Sequence, residues 1–176
     1  MAKDWFLLAD IGGTNARFAL GDVGSGEMLH FLTVSVADHP SFTAALQNYL
    51  AHVRSLDQWA PLPVDGCLAV ASPAEREVIT FTNSDWVIDR KDLAFSLRLP
   101  RLHVINDFAA IGYASSGFSA ADWIQVGEGE SRANRPIGVL GPGTGLGVCG
   151  VLPSPQGVSV IAGEGGHVDF SPVGDE

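Results

Sequence analysis

The sequence predicts an α/β fold in two related lobes, and three observations carry that expectation. Short apolar runs of strand length alternate with stretches of helical period, the pattern of α/β architecture. An apolar strand that ends in a glycine turn and returns as a second strand occurs near residue 12 and again near residue 144. The chain has 176 residues and is 46 % apolar, enough to pack a core and ordinary for a soluble protein.

Trp5 to Ala9 reads as a buried strand, followed by the turn Gly12-Gly13 and a second strand, Ala16 to Leu20. Phe31 to Val36 is a third. Pro40-Ser41 then opens a helix in which Phe42, Leu46, Tyr49, Leu50, Val53 and Leu56 recur at helical spacing, with Ser41 as its cap. Pro61 and Pro63 mark a loop. Gly66 to Ala71 and Ile79 to Thr82 are strands, the latter running into a turn at Asn83-Ser84-Asp85-Trp86. Lys91 to Leu97 is a short helix capped by Asp89. Leu102 to Ile105 is a strand that meets Asn106-Asp107 and a helix over Phe108 to Ala114. Trp123 to Val126 is strand-like, and Glu128 to Pro136 is a loop. Ile137 to Leu140, the turn Gly141 to Gly147, Val148 to Leu152 and Val158 to Ala162 form the second strand group, which ends at Gly163-Glu164-Gly165-Gly166-His167.

Charge narrows the partners. Ten Lys and Arg face twenty Asp and Glu, a net charge of −10, so a basic patch for nucleic acid or anionic lipid is not expected. An anionic ligand would have to be held by backbone N–H groups, a metal ion or the few arginines. Cys67 and Cys149 sit in apolar runs and read as buried, reduced thiols. No apolar run is long enough to span a bilayer, and Trp5 to Ala9, closed by Asp10, is too short for a signal peptide. A cytoplasmic protein is expected.

Four segments carry chemistry. In Asp10-Ile11-Gly12-Gly13-Thr14-Asn15, a carboxylate at a strand end suits Mg²⁺ held through water, and the glycines let amides approach a phosphate. A plain hairpin turn is the simpler alternative. In Gly141-Pro142-Gly143-Thr144-Gly145-Leu146-Gly147, four glycines at alternate positions cost folding entropy, and a backbone that approaches a ligand explains them better than a bulged hairpin. Gly145 to Gly150 also matches GxGxxG, but a strand rather than a helix follows, which excludes a dinucleotide site. Asn106-Asp107, at a strand-to-helix junction, serves either as helix cap or as a substrate-orienting amide beside a proton-accepting carboxylate. Glu164 and His167 suit vicinal hydroxyls, with zinc and an ordinary surface loop as alternatives.

Together, Leu8 to Arg17, Ile105 to Phe108, Gly141 to Gly147 and Gly163 to Phe170 resemble the bacterial glucokinase family, within the hexokinase–actin–Hsp70 superfamily. They occur in the family's order and span nearly the whole chain. The resemblance implies an actin-like ATPase (ribonuclease H-like) fold of two lobes, with 1–109 the small N-terminal α/β lobe and 110–176 the start of an incomplete large lobe. It implies ATP-dependent phosphorylation of D-glucose to glucose 6-phosphate, the entry to glycolysis. Asp10 would bind Mg²⁺ through water. Gly12, Gly13, Thr14, Asn15, Gly143, Thr144 and Gly145 would cradle the ATP phosphates. Asp107 would be the base toward the 6-hydroxyl, and Asn106, Glu164 and His167 would bind other sugar hydroxyls. A related group of sugar kinases and repressors carries a Cys-x-Cys-Gly zinc motif after the Glu-x-Gly-His segment; here Val168 to Pro172 follows, without cysteine. The resemblance also implies a chain about twice this length, a homodimer in the full-length form, and hence a truncated sequence here. A non-catalytic sugar-binding module and an actin-like ATPase unrelated to sugar are the alternatives.

Overall fold

In the computed structural model, described over residues 4–22, 24–58, 63–81, 84–130, 132–142, 145–163 and 165, contacts divide the chain into two units, residues 1–107 and 108–176. The first is built on strands β1 (Trp5–Ile11), β2 (Asn15–Asp22), β3 (Met28–Ser35), β4 (Asp65–Val70) and a later strand, β7 (Leu102–Asn106). Helix α1 (Phe42–Leu56) joins β3 to β4. Strands β5 (Val78–Phe81) and β6 (Ser84–Asp89) and helix α2 (Arg90–Leu97) lie between β4 and β7. The sheet order is β3-β2-β1-β4-β7; β1, β2 and β3 pair antiparallel, whereas β1, β4 and β7 run parallel.

Alternation sets which face is covered. Trp5, Leu7, Ala9 and Ile11 of β1 are buried, and Phe18, the register partner of Ala9, shares their face. Helix α1 lies there because Phe42, Ala45, Leu46, Tyr49 and Val53 form one apolar stripe. Phe18 is stacked on Tyr49 at 5.2 Å between ring centroids and tilted against Phe42 at 6.0 Å. Each such ring or Leu side chain, fully buried, contributes about 1.5–3 kcal/mol. Ser41 caps α1 by accepting from the Ala44 N–H at 3.1 Å, as expected. Asp89 caps α2 through the Lys91 and Asp92 amides at 2.9 and 3.0 Å. That helix stops at Arg98, whose φ of 55° is left-handed.

Two elements differ from the sequence reading. The turn expected over Asn83 to Trp86 lies partly outside the described residues, and from Ser84 onward the chain is strand β6, paired antiparallel with β5. Trp86 and Ile88 point inward at 2 % exposure, alternating with outward Asp85 and Val87. The Trp86 indole donates to the His39 carbonyl at 3.0 Å and meets Phe42 edge-on. Burial of an alternating pair outweighs the local turn preference of Asn, Ser and Asp. In the second unit, Trp123 to Val126 is not a strand. A capping box between Ser119 and Asp122 closes a short 3-10 turn over Ala120–Asp122 just before it. Ile124 and Val126 stay exposed, and no described strand pairs with the segment.

Helix α3 starts at Asp107, the last residue of the first unit, and its remaining residues, to Ser115, belong to the second unit, which also contains a three-stranded antiparallel sheet of β8 (Ile137–Pro142), β9 (Leu146–Ser154) and β10 (Gly157–Gly163) in the order β10-β9-β8. Strand β9 starts directly after the glycine turn, as its apolar sequence predicts, so no helix follows the GxGxxG match. Cys149 and Val151 of β9 are its buried centre. Both cysteines are free thiols, and burial pushes each above its ordinary value.

Candidate active site

In the first unit, β1, β4 and β7 end at one edge of the sheet. Asp10, Ala69 and Ile105 share a register level, and Ile11, Val70 and Asn106 share the next. Asp10, the turn Gly12-Gly13-Thr14 and Asn106-Asp107 therefore lie along the carboxyl ends of parallel strands, where open α/β sheets bind ligands. With one strand between them, β1 and β7 are about 10 Å apart.

The first turn is held from both sides. Gly12 N–H donates to the Asn15 carbonyl at 3.0 Å, and the Thr14 carbonyl accepts from the Val36 amide at 2.9 Å. Thr14 and Asn15 are exposed. Gly13 and Thr14 border a concavity of ≈ 340 Å³ with Ser35, His39, Pro40, Ser84, Asp85 and Trp86. These neighbours come from the β3–α1 connection and from β6. Because the sequence reading made Ser84 to Trp86 a turn, it missed this wall. A second concavity, ≈ 320 Å³, is lined by residues of α1, β6 and α2 and includes none of the motif residues.

Asp10 lies on the sheet face opposite α1, since its register partner Arg17 neighbours Phe18. The Arg17 guanidinium donates to Asp10 Oδ2 at 2.7 Å, with both side chains about half-exposed. The pair therefore stabilises the fold little and places a cation beside the carboxylate, a neighbour the motif reading did not use. Among the described residues, no three His, Cys, Asp or Glu side chains gather as ligands for a metal ion. A half-exposed carboxylate at a strand end is compatible with Mg²⁺, which keeps most of its waters and takes one or two carboxylates.

Asn106 ends β7 and Asp107 begins α3, as the sequence junction predicts, and both are partly buried. In the second unit, Gly145 is described at the end of its turn, exposed, with open space where a Cβ would stand. Gly143, Thr144, Glu164 and His167 lie outside the described residues.

The five-stranded sheet of order β3-β2-β1-β4-β7, with its glycine turn after β1, makes the chain an actin-like ATPase fold. A solved glucokinase from an Antarctic psychrotroph shares it with a TM-score of 0.79 and 35 % identity, over 99 % of this chain and 54 % of that one. The Glucokinase family profile matches residues 7–176, and the chain belongs to that family. Among curated relatives, the glucokinase of Cronobacter sakazakii is 39 % identical over 170 residues, covering 97 % of this chain and 51 % of its own length. The bifunctional protein glk of Burkholderia orbicola is 40 % identical over 166 residues, covering 94 % of this chain and 25 % of its own. The chain thus spans a quarter to a half of the length of the curated relatives it matches.

Proposed function

We propose that the protein carrying this chain is a glucokinase, transferring the γ-phosphoryl group of ATP to the 6-hydroxyl of D-glucose. Family membership supports the reaction. The observation that carries the assignment of roles is that Asp10, the Gly12-Gly13-Thr14 turn and Asn106-Asp107 share one edge of one sheet.

Asp107 accepts the proton of the 6-hydroxyl. That oxygen then forms a bond to the γ-phosphorus while the bond to the β–γ bridging oxygen breaks, leaving ADP and glucose 6-phosphate. Asn106, Glu164 and His167 orient the other hydroxyls; Gly13, Thr14, Asn15, Gly143, Thr144 and Gly145 receive the phosphates through backbone and hydroxyl donors, while Gly12, whose N–H is held by the Asn15 carbonyl, lets the backbone approach them. Asp10 would hold Mg²⁺ through water, and the ion when bound would neutralise charge on the phosphates. Such transfer depends on positioning and charge compensation more than on covalent chemistry.

Residues 1–109 are proposed as the small lobe and 110–176 as the beginning of the large one, a boundary two residues beyond the division of the chain into units 1–107 and 108–176. The full-length form is proposed to work as a homodimer in the cytoplasm, where two free thiols stay reduced. Nucleic acid and membrane are not among its proposed partners, given the net charge of −10 and the lack of any described helix long and apolar enough to cross a bilayer. The test is ADP formation by the full-length protein with and without glucose. Glucose-dependent turnover that Asp107→Ala abolishes is expected; turnover that survives it refutes the base assignment.

A further inference from the structure

The glycines of the second turn do not all do the same work. Gly145 faces open space. Gly141 and Gly147, by contrast, are register partners on β8 and β9 and both press on one aromatic ring. A Cβ at Gly141 would stand 2.5 Å from Phe108 Cζ and 2.8 Å from Cε1. One at Gly147 would fall inside the same ring, overlapping Cε2, Cδ2 and Cζ. Real Cβ atoms do not approach so closely, so the paired glycines form a seat that the Phe108 ring occupies. Ligand approach, the sequence-level explanation for this run of glycines, does not account for these two.

The fit is reciprocal one helical turn later. A Cβ at Gly112 of α3 would meet Cys149 Sγ at 2.8 Å, Val160 Cγ1 at 2.9 Å and Val151 Cγ2 at 3.3 Å. Phe108 and Gly112 are four apart and lie on one face of α3. The helix thus inserts a large side chain into a gap in the sheet, and the sheet inserts side chains into a gap in the helix. A thiol hydrogen bond adds to this, from Cys149 Sγ to the Phe108 carbonyl at 3.1 Å. Two interlocks on successive turns fix both the rotation of α3 and its position along the sheet. Residue 107 is the first residue of that helix.

We propose that Phe108 is a positioning residue for phosphoryl transfer. Its ring, seated on Gly141 and Gly147, holds the second phosphate turn in fixed register with the helix that begins at Asp107. This rests on the glucokinase reading above and on Asp107 as base. Transfer is sensitive to this register because a displacement of about 1 Å in a reacting group can lower the rate about a hundredfold. An aromatic ring suits the role, since its shape is rigid and only two torsions need fixing.

The test is a double-mutant cycle in the full-length protein, read in steady-state kinetics and thermal melting. Gly147→Ala should lower kcat at least about tenfold, leaving the KM for glucose within about twofold. Phe108→Ala vacates the space that a methyl at 147 needs. Adding Gly147→Ala to it should therefore cost less than threefold further in kcat, a coupling that independent structural damage does not give. Phe108→Leu, which keeps apolar volume without a flat ring, guards against loss of folding. It should lower kcat at least about fivefold while the protein melts cooperatively. Additive effects of Phe108→Ala and Gly147→Ala overturn the proposal, as does a Phe108→Leu protein with kcat within twofold of the parent. Asp107→Ala separates the two layers: if it leaves turnover intact the base reading fails, whereas its inactivity alongside an unaffected Phe108→Leu protein sinks only the positioning role.

Discussion

Gly145→Ala separates a glycine kept for a ligand from one kept for folding. No heavy atom lies within 4 Å of where its Cβ would stand, and its φ falls outside the left-handed range that disfavours alanine. The folded state therefore accepts the methyl without strain, and the substitution removes freedom only from the unfolded chain. A gain of about 0.4–1 kcal/mol follows, or a melting point higher by a few degrees. Function should move the other way. A methyl on the turn pushes a phosphate off an amide donor, and a hydrogen bond to a charged group contributes about 1.5–3 kcal/mol. That corresponds to a KM for ATP raised by about ten- to a hundredfold. Gly138→Ala is the control: it too meets nothing within 4 Å but lies in β8, outside the turn, so it should stabilise without touching ATP. Differential scanning fluorimetry and ATP titration of the full-length protein read both quantities. An unchanged KM for ATP removes Gly145 from the phosphate site, and a lowered melting point contradicts the open space around it.

Tyr49 is fully buried against Phe18, and its hydroxyl has no partner among the described residues. Tyr49→Phe should therefore raise stability by about 1 kcal/mol, read as a higher urea midpoint at unchanged slope; a lower midpoint would show that the hydroxyl is satisfied. Burial pushes the Tyr49 phenol from 10.0 up to about 12. Below pH 10 both folded and unfolded chains keep the proton and nothing is lost. Between pH 10 and about 12 only the unfolded chain ionises, so stability falls across that window, and Tyr49→Phe should remove this part of the fall. Asp65, buried at the start of β4, accepts from the Arg101 Nε–H at 2.9 Å, and this partner holds its carboxyl below the ordinary range. Its contribution is present above the unfolded carboxylate value and is lost as acid takes the pH through the lowered folded value. Arg101→Ala should shift the acid-unfolding midpoint of the protein upward; an unmoved midpoint discounts the pair.

Much of the fold was legible because strands and helices here follow apolar period closely. Trp5 to Ala9 is a continuous apolar run of strand length, α1 carries a stripe and a Ser41 cap, and α2 begins at an Asp89 cap. The failures came where local polarity and tertiary burial disagree. Asn83-Ser84-Asp85 reads as a turn until Trp86 and Ile88 find a core to enter. Trp123 to Val126 reads as a strand because apolar residues alone cannot say whether a pairing partner exists. Among candidate site residues, Asp10, Gly12 to Asn15 and Asn106-Asp107 could be named from residue type and junction. Their gathering at one sheet edge needed the β1-β4-β7 register. Arg17 beside Asp10 and Phe108 beneath the second turn were invisible for the same reason. The first pairing arises from cross-strand register, and the second from a helix packed on a sheet dozens of residues later in the chain.

The most direct measurement is glucose-dependent ADP formation by the full-length protein carrying Asp107→Asn, with glucose affinity measured by calorimetry on the same sample. An amide of the same shape can still touch the sugar but cannot take its proton. Turnover lower by about 10²–10⁴-fold with glucose still bound is expected. Turnover close to that of the unsubstituted protein would contradict the base assignment.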